Sequence, residues 1–343
     1  MKLLTVVVPT YNTEKYIRRC LDSVALEELR SELEVLVVSD GSLDASAEIA
    51  DEYAARLPDC IKVIRKENGG HGSTINTGLS LATGKYFRVL DSDDWFDIVD
   101  FKAYMQRLKT EDADAVICNY RKEFVYESRS EFFSYPKLQD GKTYEFDKFD
   151  LGLLQGEYFV MATTAYKTEL LKKSGLSLLE KTFYVDMQFN VVPITELCTF
   201  TYYDLDVYRY FIGRPDQSMN LTNFVRNQDH HKKMVHWIVD FYTKKSPDLS
   251  GNKREYLQAI LVYTLNTHYT IYCEYDKDHR RAYREITEFD RYLLETNPTL
   301  YDALNTMAYI RYNRKSKFKG VKVSSRLWKK CLQLARIIKH RGN

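Results

Sequence analysis

The chain has 343 residues, which is enough for one large domain or two ordinary ones with a sizeable core. Its hydrophobic fraction of 44% and charged fraction of 29% fit a soluble globular protein. No stretch approaches the ~20 apolar residues that a membrane span needs, and the N-terminal apolar run is too short for a signal peptide. Six cysteines are scattered without a CxxC pair or a metal-like spacing, which predicts small core residues in a reducing compartment. We therefore expect a cytoplasmic protein.

Charge is distributed unevenly along the chain. The formal net charge is +2, but from Arg311 to Asn343 there are 12 Lys or Arg residues and no Asp or Glu. The residues before Arg311 therefore carry 38 basic and 48 acidic side chains, a net charge of −10. The body of the protein is acidic and the C-terminal tail is strongly basic.

Strand and helix patterns alternate from residue 3 to residue 90. Apolar runs predict buried strands at residues 3–8, 33–38, 61–64 and 86–90. Helical spacing predicts helices from about Thr13, from Asp44 or Ser46, and over residues 73–82. This alternation predicts βαβ units and a parallel sheet, whose ligands bind beyond the carboxyl ends of the strands. Polar stretches follow each strand at that edge, namely residues 10–12, 40–42, 69–72 and 91–94.

The fourth predicted strand ends in Asp91, Asp93 and Asp94, three carboxylates within four residues. Like charges this close raise the pKa of one of them unless a cation lies among them. Hard divalent ions such as Mg²⁺ or Mn²⁺ bind carboxylate oxygens and leave positions open for phosphate oxygens. The stretch is either a platform for a metal–diphosphate or a solvated acidic turn that caps a helix near Trp95.

Three segments of the N-terminal hundred residues together resemble the family 2 inverting glycosyltransferases of the GT-A fold. They read VVVPTYNTEKYIRRCLDSV, VLVVSDGSLD and NGGHGSTINTGLSLATGKYFRVLDSDDW. The resemblance implies an α/β fold with a Rossmann-like, mostly parallel sheet flanked by helices. It also implies a nucleotide-sugar donor, most often a UDP-sugar, and Mn²⁺ or Mg²⁺ as the metal.

The resemblance assigns roles to individual residues. Tyr11 would stack on the nucleotide base and Asp40 would hydrogen-bond it. Asp91 and Asp93 would form the DxD element that contacts the ribose and the metal-bound diphosphate. Asp93 and Asp94 would be the metal ligands. The nucleotide-sugar site would also include Pro9, Asn68, Gly72, Asn76 and Ser92.

The sequence departs from the family pattern at two places. It has Ser39-Asp40 where the family often has two acids, and Ile75-Asn76 where the family often has Arg before the Asn. Without that Arg, the diphosphate would be bound by the metal and by other cations. A dinucleotide-binding loop at residues 69–72 has the wrong spacing, and a tight turn with positive φ is the better interpretation.

Two later segments complete the predicted site. Val185-Asp186 stands where the family has an acidic dipeptide whose second member is the catalytic base, so the resemblance makes Asp186 the base. The alternative is that Asp186 caps a helix that begins near Met187, and the two roles are compatible. Residues 207–219 match a segment that often folds over the donor. Within it, Arg214 is either a diphosphate ligand that replaces the absent Arg or part of a surface salt bridge.

The C-terminal part is helical in pattern. Helices are predicted over residues 225–242, 256–272 and 282–294, and a last one over 324–340. His230, His231 and His236 are either solvated or core residues or a metal site. The last helix combines an apolar stripe with basic residues, which favours binding at an anionic membrane surface. The alternative is packing on another subunit, and the acidic body argues against nucleic acid as a partner.

These patterns predict three parts. They are a GT-A domain (1–222), a helical C-terminal domain (223–310) and a basic amphipathic tail (311–343). The predicted function is metal-dependent transfer of a sugar, with inversion, to a glycan or lipid-linked acceptor in cell-surface polysaccharide synthesis. One alternative is a non-catalytic scaffold that binds a nucleotide or a sugar. The other is a sugar-phosphate nucleotidyltransferase, which would need a glycine-rich loop with Arg and Lys where residues 9–12 stand. The oligomeric state is open.

Overall fold

The computed structural model describes residues 2–214 and 221–318. The chain divides into two compact units. The first comprises Met1–Gln217 and Leu249–Arg254, and the second comprises Ser218–Asp248 and Glu255–Asn343. Within the described ranges, no helix combines the length and the apolar character that crossing a membrane would require.

The first unit begins with four strands that alternate with helices, as the sequence predicts. The strands are β1 (Leu4–Thr10), β2 (Leu33–Asp40), β3 (Ile61–Lys66) and β4 (Tyr86–Val89), and the helices are α1 (Ile17–Asp22), α2 (Ser46–Arg56) and α3 (His71–Leu81). All four strands are parallel, with β1 between β2 and β4 and with β3 outside β2. Both β1 and β2 are buried along their whole length, so burial of apolar surface on both faces stabilises the centre of this sheet.

The second half of the sheet is mixed. Its elements are β5 (Trp95–Phe96), α4 (Ile98–Leu108), β6 (Ala115–Phe124), β7 (Arg129–Phe133), β8 (Thr143–Glu145), β9 (Thr164–Lys167), α5 (Thr168–Lys173), α6 (Asp186–Val191) and β10 (Thr199–Ile212). The sheet order is β3-β2-β1-β4-β9-β6-β10-β5, with β7 on β6 and β8 on β10. The short β9 runs antiparallel to both β4 and β6, whereas β6 and β10 are parallel. The strand β6 continues into a hairpin with β7.

The second unit is helical in its described part. Its elements are α7 (Leu221–Arg226), α8 (Gln228–Lys245), most of α9 (Gly251–Thr270), a π-helical turn (Ile271–Tyr275), α10 (His279–Thr296), α11 (Pro298–Ala303) and α12 (Ala308–Lys315). Local signals explain two helix starts. The Asp278 side chain accepts hydrogen bonds from the backbone of Arg280 and Arg281, which caps α10. Asn297 caps α11 and is followed by Pro298, the residue favoured at a first helical position.

The start of the predicted basic tail lies inside this helical unit. Arg314, in α12, donates hydrogen bonds to Asp290 Oδ1 at 2.7 Å and to the Tyr301 carbonyl at 2.7 Å. Its neighbour Asn313 is fully buried. Because the charge of Arg314 is used in an internal ion pair, we move the start of the tail from residue 311 to residue 319. The helix predicted over residues 324–340 lies outside the described residues.

Candidate active site

Asp40, the last residue of β2, holds the glycine-rich loop that follows β3. Its Oδ1 accepts hydrogen bonds from Gly69 N at 2.9 Å and from Lys66 Nζ at 2.8 Å, and its Oδ2 accepts one from Gly70 N at 2.7 Å. Asp40 is buried, and these bonds compensate the loss of water around its charge. Gly70 has φ of +84°, a conformation that glycine adopts without strain. The geometry therefore gives Asp40 a positioning role in the loop, and its predicted contact with the base stays a prediction.

Asp91 pairs with His71. Asp91 lies in the turn after β4, and His71 is the first residue of α3. Asp91 Oδ1 lies 2.8 Å from His71 Nε2. Burial lowers the pKa of His71, but the negative charges of Asp91, Asp186 and Asp93 together raise it by more, so the net shift is upward. The surrounding acids therefore favour the protonated form of His71 beside Asp91. His71 belongs to the polar stretch 69–72, but no sequence motif indicates a role for it.

Asp93 is surrounded by arginines. Its Oδ2 lies 3.3 Å from Arg214 Nε, and its carbonyl accepts a hydrogen bond from Arg19 Nη2 at 3.2 Å. The Arg19 guanidinium in turn stacks 3.6 Å from the centre of the Trp95 ring. Burial raises the pKa of Asp93, and the positive charge of Arg214 offsets part of that shift. Arg214 thus forms an ion pair inside the site, with Asp93.

Asp94 faces protein donors with both of its oxygens. Oδ2 accepts a hydrogen bond from Tyr208 Oη at 2.6 Å, and Oδ1 accepts one from Phe211 N at 2.8 Å. The residue is 1% exposed, and burial raises the pKa of its carboxyl group. These contacts join the turn after β4 to β10. Each oxygen keeps a second lone pair, so the predicted role of Asp94 as a metal ligand stays a prediction.

Asp186 is the first residue of α6. Burial raises the pKa of Asp186, the positive charge of His71 lowers it in part, and Asp91 raises it again. The three side chains therefore lie within electrostatic reach of one another, although residues 71 and 186 are far apart in the sequence. The N–H groups of Asp186 and Met187 also lower this pKa. Asp186 is the first helical residue and the N-cap position is Val185, which makes no side-chain cap hydrogen bond, so the structure differs from the alternative interpretation of Asp186 as the cap. A carboxylate with a raised pKa is a stronger base.

The remaining predicted donor residues fall into two groups. Tyr11 directly follows β1 and is 50% exposed, so one face of its ring is accessible for stacking. Pro9 is buried within β1, Ser92 is buried in the turn after β4, and Asn68 donates a hydrogen bond to the Asp40 carbonyl at 3.0 Å. These four residues surround the edge at which β1, β2 and β4 end.

Gly72 and Asn76 form the second group and contact a different segment. The side-chain amide of Asn76 exchanges two hydrogen bonds with the backbone of Leu178, both of 2.9 Å. A Cβ atom on Gly72 would lie 2.4 Å from the Leu179 carbonyl oxygen. Both polar atoms of the Asn76 amide thus bind the Leu178 backbone, and its predicted contact with the nucleotide sugar stays a prediction.

The chemistry of the site fits a divalent ion that is only partly bound by protein. Across the described ranges, no group of three or more His, Cys, Asp or Glu side chains is arranged to hold a metal. A metal here would need oxygens from its ligand as well, which Mg²⁺ and Mn²⁺ commonly take from phosphates. Asp93 suits this role because it is a buried carboxylate that already attracts a cation. The same result removes support for a metal site at the histidines of α8, where buried His231 stacks on His268.

Comparison with known proteins agrees with this geometry. Residues 5–174 match the model of glycosyl transferase family 2. The putative glycosyltransferase EpsH of Bacillus subtilis is 42% identical over 121 residues, which is 35% of this chain and 34% of EpsH. The uncharacterized glycosyltransferase RT0329 of Rickettsia typhi is 28% identical over 270 residues, 76% of this chain and 79% of that protein. The alignments to the first curated relatives thus span less than half of their length, from 16% for GlyA to 45% for GlyG, both glycosyltransferases of Streptococcus pneumoniae.

Solved structures show the same fold. S. aureus TarS residues 1–349, in complex with UDP-GlcNAc, matches with a TM-score of 0.67 at 20% identity, over 95% of this chain and 92% of that one. The mannosyltransferase PcManGT of Pyrobaculum calidifontis, in complex with GDP-Man and Mn²⁺, matches with a TM-score of 0.51 at 17% identity, over 95% and 87%. The fold is that of the GT-A glycosyltransferases. Through residues 5–174 the chain belongs to the family 2 glycosyltransferases. The predicted fold class and family are confirmed.

Proposed function

We propose that this chain transfers a sugar, with inversion, from a nucleoside diphosphate sugar to a hydroxyl group of a glycan or lipid-linked acceptor. The observation that carries the proposal is the pairing of Asp91 with His71 beside the end of β4, with Asp186 within electrostatic reach of both. A UDP-sugar is our first candidate for the donor, since TarS was solved with UDP-GlcNAc and is more similar in structure than the GDP-Man enzyme. We place the reaction in cell-surface polysaccharide synthesis.

The proposed reaction is a single displacement. The Asp186 carboxylate accepts the proton of the acceptor hydroxyl group as its oxygen attacks the anomeric carbon. The new glycosidic bond forms while the bond from that carbon to the diphosphate oxygen breaks, and the electron pair leaves with the nucleoside diphosphate. His71 and Arg214 supply positive charge near the leaving group. A divalent ion bound to Asp93 would neutralise further charge on the diphosphate.

An aromatic side chain supports a glycan acceptor. Phe183 lies three residues before Asp186 and is 43% exposed. An exposed aromatic face can pack against the apolar face of a sugar ring. The position next to the proposed base makes Phe183 a candidate contact for the acceptor sugar.

The donor assignment is tested by thermal unfolding with UDP, GDP and dTDP, each with Mn²⁺ or with EDTA. Ligand at a hundred times its dissociation constant stabilises the folded state by ~2.7 kcal/mol. We expect this shift with UDP and Mn²⁺, and we expect Asp93→Ala to abolish it. The matched control is Asp59→Ala, which removes an exposed acid away from the site. A shift with GDP or dTDP instead of UDP would change the assignment of the donor nucleotide. No shift with any nucleotide would contradict the proposal.

We also propose that residues 319–343 bind an anionic membrane surface. This segment carries 8 Lys or Arg residues and no acidic residue, and each basic residue near an anionic leaflet contributes ~1 kcal/mol. Deletion of residues 319–343 should release the protein from vesicles that contain anionic lipid. Vesicle binding that survives the deletion would contradict this proposal and leave the glycosyltransferase proposal intact.

A further inference from the structure

Asn76 joins α3 to the segment that precedes and includes the proposed base, which we call the base arm (residues 178–186). Asn76 Nδ2 donates to the Leu178 carbonyl, and Leu178 N donates to Asn76 Oδ1, both at 2.9 Å. The side-chain amide therefore copies the paired bonds that two antiparallel strands exchange. Leu178 is buried, so a residue at position 76 without a donor and an acceptor would leave two backbone groups unsatisfied.

Further contacts hold the base arm along its length. Lys181 N donates a hydrogen bond to the Gly69 carbonyl at 2.6 Å. At Gly72 the arm passes so close that a Cβ atom would clash with the Leu179 carbonyl at 2.4 Å. Leu179 N donates to Gln188 Oε1 at 2.8 Å, which ties the start of the arm to α6 beyond the base.

The backbone of the base arm is strained. Lys181 and Tyr184 are not glycines, yet they have φ of +50° and +67°. Such left-handed conformations are unfavourable for residues with a Cβ atom and persist where the surrounding structure holds them. The hydrogen bond to Gly69 holds the backbone at Lys181, five residues before Asp186, so we expect the position of Asp186 to depend on the contacts of the arm.

The same loop faces the proposed donor site. Asp40 binds the N–H groups of Gly69 and Gly70, and His71 pairs with Asp91. We infer that Asn76 is a positioning residue that transmits occupancy of the nucleotide site to the base arm, so that a bound nucleoside diphosphate orders Asp186 before the acceptor is activated. This inference rests on the proposed function for the role of Asp186.

The test compares backbone hydrogen exchange in the full-length wild type, Asn76→Ala and Asn76→Asp, with and without UDP and Mn²⁺. Thr77→Val is the matched control, since Thr77 Oγ1 donates to Ser73 O within α3. In the wild type and the control, UDP with Mn²⁺ should slow exchange both in residues 69–76 and in the base arm. In Asn76→Ala the slowing should persist in residues 69–76 and disappear from the base arm.

Without ligand, Asn76→Ala should exchange at least tenfold faster than the control at the amides of Leu178, Leu179 and Lys181. Asn76→Asp keeps the acceptor for Leu178 N, so its exchange rates should lie between those of the control and of Asn76→Ala. If Asn76→Ala does not fold, Asn76→Asp replaces it in the comparison. In transfer assays, kcat should fall about a hundredfold with an unchanged KM for the donor, because a displaced base costs that much.

Unchanged exchange in the ligand-free base arm of the variants would overturn the inference. So would a rise in donor KM as large as the fall in kcat, since it would mean that Asn76 binds the donor directly. If UDP protects no amide in the wild type, the proposed donor fails, and the ligand-free comparison still decides the role of Asn76.

Discussion

Arg214 lies where the site most needs a cation. Its Nε is 3.3 Å from Asp93 Oδ2, and both side chains are largely buried. A divalent ion that binds Asp93 must compete with this guanidinium, whereas a diphosphate offers Arg214 new oxygens. We therefore infer that the ion pair breaks when the donor binds. The metal ion would then bind Asp93, and the diphosphate would bind Arg214.

Substitution of Arg214 tests this exchange. Arg214→Gln should bind Mn²⁺ alone more tightly than the wild type, because the competing charge on Asp93 is gone. The same variant should bind UDP with Mn²⁺ about 10- to 100-fold more weakly, since a charge-assisted hydrogen bond contributes ~1.5–3 kcal/mol. Isothermal titration of each variant with Mn²⁺, and then with UDP in excess Mn²⁺, measures both effects.

The matched control is Arg18→Gln, which removes an arginine from an exposed pair with Glu52. It should change neither affinity. If Arg214→Gln has the Mn²⁺ affinity of the wild type, the guanidinium and the metal do not share Asp93.

The acids of the site show what the sequence could establish about single residues. The motifs placed Asp40, Asp91, Asp93 and Asp94 at strand ends, and the structure has all four there. Their partners were not predictable, because a hydrogen bond from Tyr208 to Asp94 or from Gly70 to Asp40 depends on contacts across the fold. A run of carboxylates in the sequence therefore identifies a site. It does not show which carboxylates bind the metal or the substrate and which ones stabilise the protein.

At the scale of elements, periodicity predicted the parallel half of the sheet and the main helices. The alternating pattern placed the first four strands correctly, because buried parallel strands are continuous apolar runs. The four-residue β9 was not predicted as an antiparallel strand between β4 and β6, since so short a segment has no measurable period. The link between Asn76 and the base arm was also invisible, because it joins positions 102 residues apart.

Two helices of the second unit share a buried pair of histidines. His231 in α8 and His268 in α9 stack, with their Nδ1 atoms 3.1 Å apart. Burial lowers the pKa of His231 to about 3. Burial, followed by the charges of His231, His236 and Lys232, lowers the pKa of His268 well below its ordinary range. Both imidazoles are therefore neutral in the folded unit at neutral pH.

This pair predicts loss of stability in acid. Unfolded histidines bind protons below pH ~6.5, whereas the folded pair does not, so the free energy of unfolding falls as the pH drops below ~6.5. Each buried histidine contributes up to about 1.4 kcal/mol per pH unit until its own folded pKa is reached. Urea unfolding between pH 7.5 and 4.5 measures this slope.

His268→Phe should flatten the pH dependence, since a phenyl ring can pack against Phe289 and Tyr272 as the imidazole does. The exposed His279 provides the control, and His279→Gln should retain the wild-type slope. A stability that is constant from pH 7.5 to 4.5 in the wild type would contradict the burial of neutral imidazoles.

At the scale of the whole molecule, the sequence motifs of the family cover only part of the proposed site, and the rest of the site is brought together by the fold. The family match ends at residue 174, before the proposed base. The structure nevertheless brings Asp186 to His71 and Asp91, because α3, the glycine-rich loop and the base arm are joined by hydrogen bonds. The proposed function therefore requires that Asp186 acts as the catalytic base and does more than stabilise α6.

The most direct measurement is sugar transfer by Asp186→Asn, together with its thermal shift in UDP and Mn²⁺. The substitution keeps the shape of the side chain and removes its basicity, so kcat should fall by about 10²–10⁴ while the nucleotide shift stays that of the wild type. Glu180→Gln, which neutralises an exposed acid of the same arm, should keep both. Sugar transfer by Asp186→Asn at the wild-type rate would contradict the role of Asp186 as the base. If the wild type binds nucleotide but transfers no sugar from any donor tested, a binding scaffold is favoured.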